Sequence, residues 1–250
     1  MNTLNVSKIN WITVGNPNSN STIIFLHEGL GCIEMWKTYP HDLCSALNVN
    51  GIVYDRTGYG KSSGSLLGRT NQYLHEAAEE LAAFIAHHQI KSPILYGHSD
   101  GGSIALIYAG QHKDVKAVIT EAAHVFNETE TIQGVQEARP LLAEGKMDGL
   151  RKYHGERYQE VFFAWNDIWL DESFKDWDIT EYLPNIEVPL LVIQGQNDQF
   201  GTLKQVKTIK ELTAGKTATF TPENCGHAPF KEQTELVLET VKKFILTDVN

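Results

Sequence analysis

Short apolar runs rich in β-branched residues recur along the chain, and each is followed by a helical pattern. Such runs predict buried strands at residues 22–26, 52–54, 94–96, 117–120 and 190–194. Helical spacing covers residues 69–88, 102–111 and 232–245. This alternation predicts an α/β fold with a mostly parallel sheet flanked by helices. Active side chains are then expected on loops at the carboxyl ends of the strands.

The alternation stops between residues 122 and 183. No strand-like run occurs there, and the aromatic sequence VFFAWNDIWL lies within helical patterning. Strand–helix alternation resumes after Pro184 and Pro189. We therefore interpret residues 1–121 and 184–250 as one α/β core, with residues 122–183 inserted as a helical cap over the sheet. The alternative is a set of extra helices packed against the side of the sheet.

Composition narrows the classes of partner. The 250 residues are 42% hydrophobic and 21% charged, as in an ordinary globular protein. The formal net charge of -10 disfavours nucleic acid, because phosphate binding needs clustered Lys and Arg. The first residues lack the apolar region of a signal peptide, and no stretch predicts a membrane span. We expect a cytoplasmic monomer or homodimer that acts on a small molecule.

The three cysteines, Cys32, Cys44 and Cys225, stand at unrelated spacings without a CxxC pair. Reduced thiols are therefore expected. Cysteines and histidines are not paired at ligand spacing, so no metal site is predicted. No G-x-G-x-x-G opens a helix after the first strands, which disfavours a nicotinamide or flavin cofactor.

The sequence GHSDG at residues 97–101 fits the pattern G-x-S-x-G. The strand-like PILY precedes it and the helix-like GSIALIYAG follows it. A serine between such a strand and helix lies on a tight turn that exposes its hydroxyl, and the glycines avoid clashes. The free amides of the following helix face any developing negative charge. This context predicts that Ser99 is a nucleophile.

A serine hydroxyl needs a base, usually an imidazole that a carboxylate orients. Where the nucleophile lies on a strand–helix turn, the acid and then the histidine follow it along the chain. His227, in CGHAP after the last strand-like run and before the final helix, is the predicted base. Asp198, just past the strand at 190–194, is the predicted acid. His98 adjoins Ser99, but neighbouring side chains diverge on so sharp a turn.

The loop HEGLG at residues 27–31 follows the first predicted strand. In this arrangement it supplies one backbone amide to the oxyanion, and the residue after the nucleophile supplies the other. We predict Gly29 for the first donor, with Leu30 as the alternative, and Asp100 for the second. Two such donors each contribute about 10²–10³ in rate.

The segments HEGLG, YDRTGYGKSSG, GHSDGG, QGQNDQFG and CGHAP together resemble the α/β-hydrolase family, and more narrowly its small bacterial esterase-like members. The resemblance covers nearly the whole chain. It implies an eight-stranded, mainly parallel sheet, a helical cap after the sixth strand, and no cofactor. Carried onto this sequence, it gives Ser99, Asp198 and His227 as the catalytic triad.

Two residues depart from the family pattern. Glu28 stands where many members have glycine, and Asp100 follows the nucleophile where uncharged residues are common. Carboxylates aimed at the oxyanion site would oppose the developing negative charge. We expect both side chains to turn away while their backbone amides serve. The alternative is that they face the pocket and disfavour anionic substrates.

These features favour a carboxylesterase for small or medium esters. A lactonase, a carbon–carbon bond hydrolase and an acyltransferase or perhydrolase would use the same triad. A ligand receptor on a hydrolase scaffold, with little turnover, is the alternative of a different class. Aromatic residues of the cap are candidates for an apolar pocket. The predicted pocket residues are Leu30, Phe126, Trp165 and Trp169.

Overall fold

A seven-stranded sheet forms the centre of the computed structural model, which describes residues 6–249. The strand order is β1-β3-β2-β4-β5-β6-β7, with β1 antiparallel to β3 and all other pairs parallel. The strands are β1 (Trp11–Gly15), β2 (Thr22–Leu26), β3 (Asn50–Tyr54), β4 (Ile94–His98), β5 (Ala117–Glu121), β6 (Leu190–Ile193) and β7 (Thr217–Phe220). The predicted α/β fold with a mostly parallel sheet is confirmed.

The position of each strand follows from its sequence. The central strands β4 and β5 are buried along their whole length, whereas the edge strand β1 is mainly exposed. Alternate side chains enter two apolar clusters on opposite faces of the sheet. In β2, for example, Ile24 and Leu26 join one cluster, and Ile23 and Phe25 join the other. A strand covered on both faces needs the continuous apolar run seen in the sequence.

The expected strand count was wrong for the described residues. The sheet has seven strands rather than eight, and the long insertion follows the fifth strand rather than the sixth. Among the described residues, β1 is the edge strand and pairs antiparallel with β3, and no further strand lies beyond it. Residues Val6–Lys8, which end two residues before β1, form a 3₁₀ turn instead of a further strand.

Helices cover both faces of the sheet. The α-helices are α1 (Tyr39–Leu47), α2 (Tyr73–His87), α3 (Asp100–Gln111), α4 (Thr129–Ala143), α5 (Arg151–His154), α6 (Tyr158–Leu170), α7 (Leu203–Leu212), α8 (Pro229–Glu232) and α9 (Thr234–Phe244). Helices α2, α3 and α7 contribute to one apolar cluster, whereas α1, α8 and α9 contribute to the other. Within residues 6–249, no helix is both long and apolar enough to cross a bilayer.

The segment between β5 and β6 is helical. It holds α4, α5 and α6, and α4 packs against α6. The buried Asn166 amide ties these two helices by donating to the Val135 carbonyl at 2.7 Å. The division into a core of residues 1–121 and 184–250 and a cap of residues 122–183 stays a prediction based on this change of element type.

Helix α3 begins unusually close to the end of β2. A Cβ atom on Gly101 would lie within 3.0 Å of the Leu26 and His27 carbonyl oxygens, and one on Gly97 would meet the Gly101 backbone. Any side chain at either position would force the helix away from the sheet. The two glycines of the G-x-S-x-G sequence are therefore needed for this packing.

We expect Gly101→Ala to destabilise the protein by about 1–3 kcal/mol, because overpacking against a carbonyl outweighs the better helix propensity of alanine. The control is Gly149→Ala, where an added Cβ meets no atom within 4 Å. Urea denaturation of both variants gives the free energies of unfolding. Equal stability of the Gly101 variant and the wild type would contradict the close approach.

Candidate active site

Ser99 lies on the turn between β4 and α3 with a strained backbone. Its φ of 54° and ψ of -118° are rare for a residue with a side chain. The strain is held by backbone bonds: the Ser99 amide donates to the Glu121 carbonyl at 2.8 Å, and the Gly102 amide donates to the Ser99 carbonyl at 2.8 Å. The turn thus fixes the hydroxyl at the carboxyl edge of the sheet.

The three residues predicted as a triad lie together. The hydroxyl Oγ of Ser99 is 2.9 Å from Nε2 of His227. On the other side of the ring, Nδ1 of His227 is 2.8 Å and 2.9 Å from the two carboxylate oxygens of Asp198. A carboxylate can only accept, so Nδ1 carries the proton and Nε2 is left to accept from the serine hydroxyl. This is the geometry of a nucleophile, a base and an orienting acid.

Asp198 is held by the loop that leaves β6. Its side chain is fully buried, and it accepts from the Phe200 amide at 2.9 Å and from Nε2 of Gln194 at 3.1 Å. Burial raises the pKa of this carboxyl, but His227 and the Phe200 amide more than offset that effect and leave it below its ordinary value. Asp198 is therefore ionised at neutral pH.

The pKa of His227 is raised above its ordinary value of 6.5. Burial lowers this pKa, but the charge and hydrogen bond of Asp198 outweigh burial, and the carboxylates of Glu28 and Asp100 raise it further. The imidazole is therefore a stronger base than a free histidine. It can take a proton from Ser99 and hold it while charge develops.

His98 holds the loop that carries the base. Its Nε2 lies 2.7 Å from the His227 carbonyl oxygen, so this nitrogen donates. Burial lowers the pKa of His98 to about 4, which keeps the ring neutral. Cys225, two residues before the base, is buried with a pKa raised to about 11. His98 is not suited to act as the base, because its ring donates to a backbone carbonyl. Cys225 is not suited to act as the nucleophile, because its thiol stays protonated.

The loop of residues 27–31 is pinned at one carbonyl. The Glu28 oxygen accepts from Nη2 of Arg56 at 2.7 Å, Nδ1 of His27 at 2.8 Å and the Gly31 amide at 3.1 Å. Within residues 6–249, the amides of Gly29, Leu30 and Asp100 donate to no protein acceptor. They are thus available as oxyanion donors, and the choice between Gly29 and Leu30 stays open.

The two unusual carboxylates differ in orientation. Asp100 is buried away from the pocket, where it accepts from the Tyr73 hydroxyl at 3.1 Å and lies 3.5 Å from Nη2 of Arg56. Glu28 is only half-buried, and it lines the cavity that holds Ser99 and His227. The expectation that both side chains turn away is correct for Asp100 and wrong for Glu28, which lines the cavity and forms no ion pair with the basic side chains of residues 6–249.

A cavity of about 290 Å³ opens over Ser99 and His227. Most of its wall is apolar and comes from the segment after β5. The lining residues are Glu28, Leu30, Met35, Ser99, His124, Thr131, Val135, Ala138, Leu141, Met147, Leu150, Trp165, Trp169, Phe200 and His227. Leu30, Trp165 and Trp169 thus line the cavity as predicted.

Phe126 does not line this cavity, and its prediction was wrong. Its ring lies 4.8 Å from the Lys204 ammonium, and its carbonyl accepts from Nε2 of Gln205 at 3.0 Å. Helix α7 therefore holds it away from Ser99. Sequence reasoning missed His124, although its place three residues after β5 is a typical site position. No comparable signal marks Thr131 or Val135, since they are ordinary residues of an amphipathic helix.

His154 ties the helical insertion to the 27–31 loop. Its Nε2 donates to the Leu30 carbonyl at 2.9 Å, and its Nδ1 accepts from the Gly60 amide at 3.1 Å. Burial lowers the pKa of His154, so the ring stays neutral at neutral pH and can make both contacts. Arg157 adds bonds to the Gly60 and Ser62 carbonyls at 3.1 Å and 3.0 Å. The insertion thus supports the loop that offers the oxyanion amides.

Comparison with known proteins agrees with this architecture. A family model described as the alpha/beta hydrolase family matches residues 23–240. A proline iminopeptidase of Lactobacillus crispatus is 24% identical, with 93% of this chain and 92% of that protein covered. An esterase structure from Exiguobacterium antarcticum has a TM-score of 0.74 at 21% identity, with 96% of each chain covered. The enol-lactonase of Burkholderia xenovorans has a TM-score of 0.74 at 16% identity, covering 95% of this chain and 96% of that one.

The raised pKa of His227 predicts where activity is lost in acid. A base must be neutral, so kcat/KM on any substrate should fall about tenfold per pH unit below a pKa that lies above 6.5. Asp198→Asn removes the charge that contributes most to raising the pKa of His227. The acid limb of the pH profile should therefore move to lower pH, while kcat/KM falls by about 10⁴. The control is Asp167→Asn, an exposed carboxylate paired with Arg139. A limb that does not move in the Asp198 variant would contradict the assignment.

We expect His154→Ala to destabilise the protein by roughly 1–3 kcal/mol, because it leaves the buried Leu30 carbonyl and the partly buried Gly60 amide without partners. His41→Ala, at a side chain 65% exposed, is the control and should change stability by less than about 0.5 kcal/mol. Urea denaturation measures both. If the two variants were equally stable, the contacts of His154 would carry no weight in holding the 27–31 loop.

Proposed function

The chain belongs to the alpha/beta hydrolase family, and we propose that it is a serine hydrolase that cleaves small or medium carboxylic esters through an acyl-enzyme on Ser99. The observation that carries this proposal is the continuous hydrogen-bond chain from Ser99 through His227 to Asp198 at the floor of a cavity. A serine so connected has a base in place and an orienting acid behind the base.

In the first half of the reaction, Nε2 of His227 takes the Ser99 proton while Oγ bonds to the substrate carbonyl carbon. The carbonyl oxygen becomes negative, and the Asp100 amide stabilises it together with the amide of Gly29 or Leu30. Asp198 stabilises the resulting imidazolium without taking its proton. The carbon–oxygen bond to the leaving alcohol then breaks, and the alcohol takes the proton from His227.

In the second half, water replaces the alcohol. The water molecule gives a proton to Nε2 of His227 as the water oxygen bonds to the acyl carbon. The second tetrahedral species collapses, the bond to Oγ breaks, and the proton returns to Ser99 as the carboxylic acid leaves. The same residues therefore act twice, and the reaction balances without an added cofactor.

The apolar wall of the cavity supports an ester as the substrate. Trp165, Trp169 and the aliphatic side chains of α4 offer an apolar surface to an acyl or alcohol group, and about 290 Å³ suits a small or medium one. The esterase and lactonase among the similar structures carry names for oxygen-ester chemistry, which fits the proposal. We also propose that the protein acts in the cytoplasm, as a monomer or homodimer, on a small molecule.

We expect Ser99→Ala to lower kcat for p-nitrophenyl butyrate by at least about 10⁴, because no other hydroxyl among residues 6–249 is hydrogen-bonded to His227. Ser45→Ala, an exposed serine on α1, is the matched control and should keep wild-type turnover. Multiple turnovers by the wild type, followed as release of p-nitrophenolate, complete the test. A single stoichiometric release, or activity that survives Ser99→Ala, would overturn the proposal and favour a receptor.

A panel of esters, lactones, thioesters, vinylogous diketones and proline p-nitroanilide separates the related reactions. Each of them can acylate Ser99 through the same triad, so only relative kcat/KM values distinguish them. The highest value for an open-chain ester supports the proposal. A tenfold or larger preference for a lactone, a diketone or the prolyl amide would replace the ester with that substrate class.

A further inference from the structure

Glu28 is a carboxylate that the proposed reaction does not use. The pattern of the family would place glycine here, and the structure shows what the change adds. The Glu28 carbonyl is fixed by Arg56, His27 and the Gly31 amide, which sets the direction in which the side chain leaves the backbone. Glu28 lines the cavity that contains Ser99 and His227, and its charge helps to raise the pKa of that histidine.

The charge of Glu28 is not neutralised. Among residues 6–249, no basic side chain lies within 4.0 Å of its carboxylate oxygens, and no hydrogen-bond donor reaches them. Arg56, the buried cation beside the loop, is committed to the Glu28 carbonyl and to Asp100. Within residues 6–249, no Lys or Arg lines this cavity, and Lys231 shares with Glu28 only a separate, much smaller pocket. A ligand bound over Ser99 would therefore meet the Glu28 charge without a paired protein cation.

Two indole rings in the cavity wall also suit a cation. Trp165 and Trp169 line it, and the indole of Trp165 lies so close to Gly29 that a Cβ there would come within 3.0 Å of the ring. Indole faces attract ammonium groups through the ring quadrupole. The chain's net charge of -10 favours the approach of cations over anions.

We propose that Glu28, with Trp165 and Trp169, forms a subsite for a positively charged ammonium group on the substrate. The inference rests on the proposed ester hydrolysis and specifies its substrate class. An anionic ligand is opposed, because it would place a second negative charge beside an unpaired carboxylate. A neutral apolar ligand would bury the carboxylate without satisfying it.

Two pairs of esters that differ only in charge test the subsite. In the first pair the acyl group carries the charge: p-nitrophenyl 4-(trimethylammonio)butanoate against p-nitrophenyl 5,5-dimethylhexanoate. In the second pair the alcohol carries it: butyrylcholine against 3,3-dimethylbutyl butyrate. Each cation has a neutral partner of the same shape, so the ratio of the two kcat/KM values isolates the charge. The pair with the larger ratio identifies the side of the ester that faces Glu28.

We expect the wild type to prefer the cation in one pair by at least about tenfold, which an ion pair with an added cation–π contact can supply. Glu28→Gln should bring that ratio close to one. Loss of the Glu28 charge also alters the base His227, but equally for both members of a pair, so the ratio is unaffected by that change. Glu79→Gln, an exposed carboxylate on α2, is the matched control and should keep the preference.

The outcomes separate the two proposals. Hydrolysis of the neutral esters without a preference for either cation, or a preference that survives Glu28→Gln, overturns the ammonium subsite and leaves the esterase intact. If no ester is turned over, the esterase fails, and calorimetry on Ser99→Ala then decides the subsite. Tighter binding of a cationic ester than of its neutral partner, lost on adding Glu28→Gln, supports the subsite, and equal binding overturns it.

Discussion

The contact between the start of α3 and the end of β2 sets the geometry on which the rest of the site depends. Because Gly97 and Gly101 have no side chains, the helix begins against the sheet, and Ser99 takes a conformation that residues with side chains rarely adopt. The hydroxyl, the free Asp100 amide and the ends of β5 and β6 then lie at one edge. His227 and Asp198 can meet Ser99 only because that edge is shared.

Three neutral imidazoles support this geometry from behind. His27, His98 and His154 are buried, and each has one nitrogen next to a backbone carbonyl at 2.7–2.9 Å. Burial lowers the pKa of all three, so their donor and acceptor sides are fixed at neutral pH. The pKa of His227 is raised instead, because the carboxylate of Asp198 outweighs the effect of burial. Environment therefore separates four chemically identical side chains into three supports and one base.

Much of this arrangement could be predicted from the sequence. Continuous apolar runs located the central strands, and the order of serine, acid and histidine along a parallel sheet brought Ser99, Asp198 and His227 to one edge. The rest depends on packing that spacing does not reveal. Phe126 was misplaced because the position of α7 decides where its ring lies. The surroundings of Glu28 include Arg56, which is distant in the chain and binds the Glu28 carbonyl rather than its carboxylate, and no local sequence pattern reveals this contact.

The two hydrogen bonds of His154 link the helical insertion to the loop that carries the oxyanion amides and to Gly60. One ring holds the Leu30 carbonyl on one side and the Gly60 amide on the other, so α5 cannot shift relative to the sheet without breaking at least one of these bonds. Leu30 directly follows Gly29, and a displaced insertion would therefore also disturb an oxyanion donor. The placement of the cavity wall and the placement of an oxyanion donor are therefore coupled through His154, and a ligand that displaced α5 would inhibit the reaction even without touching Ser99.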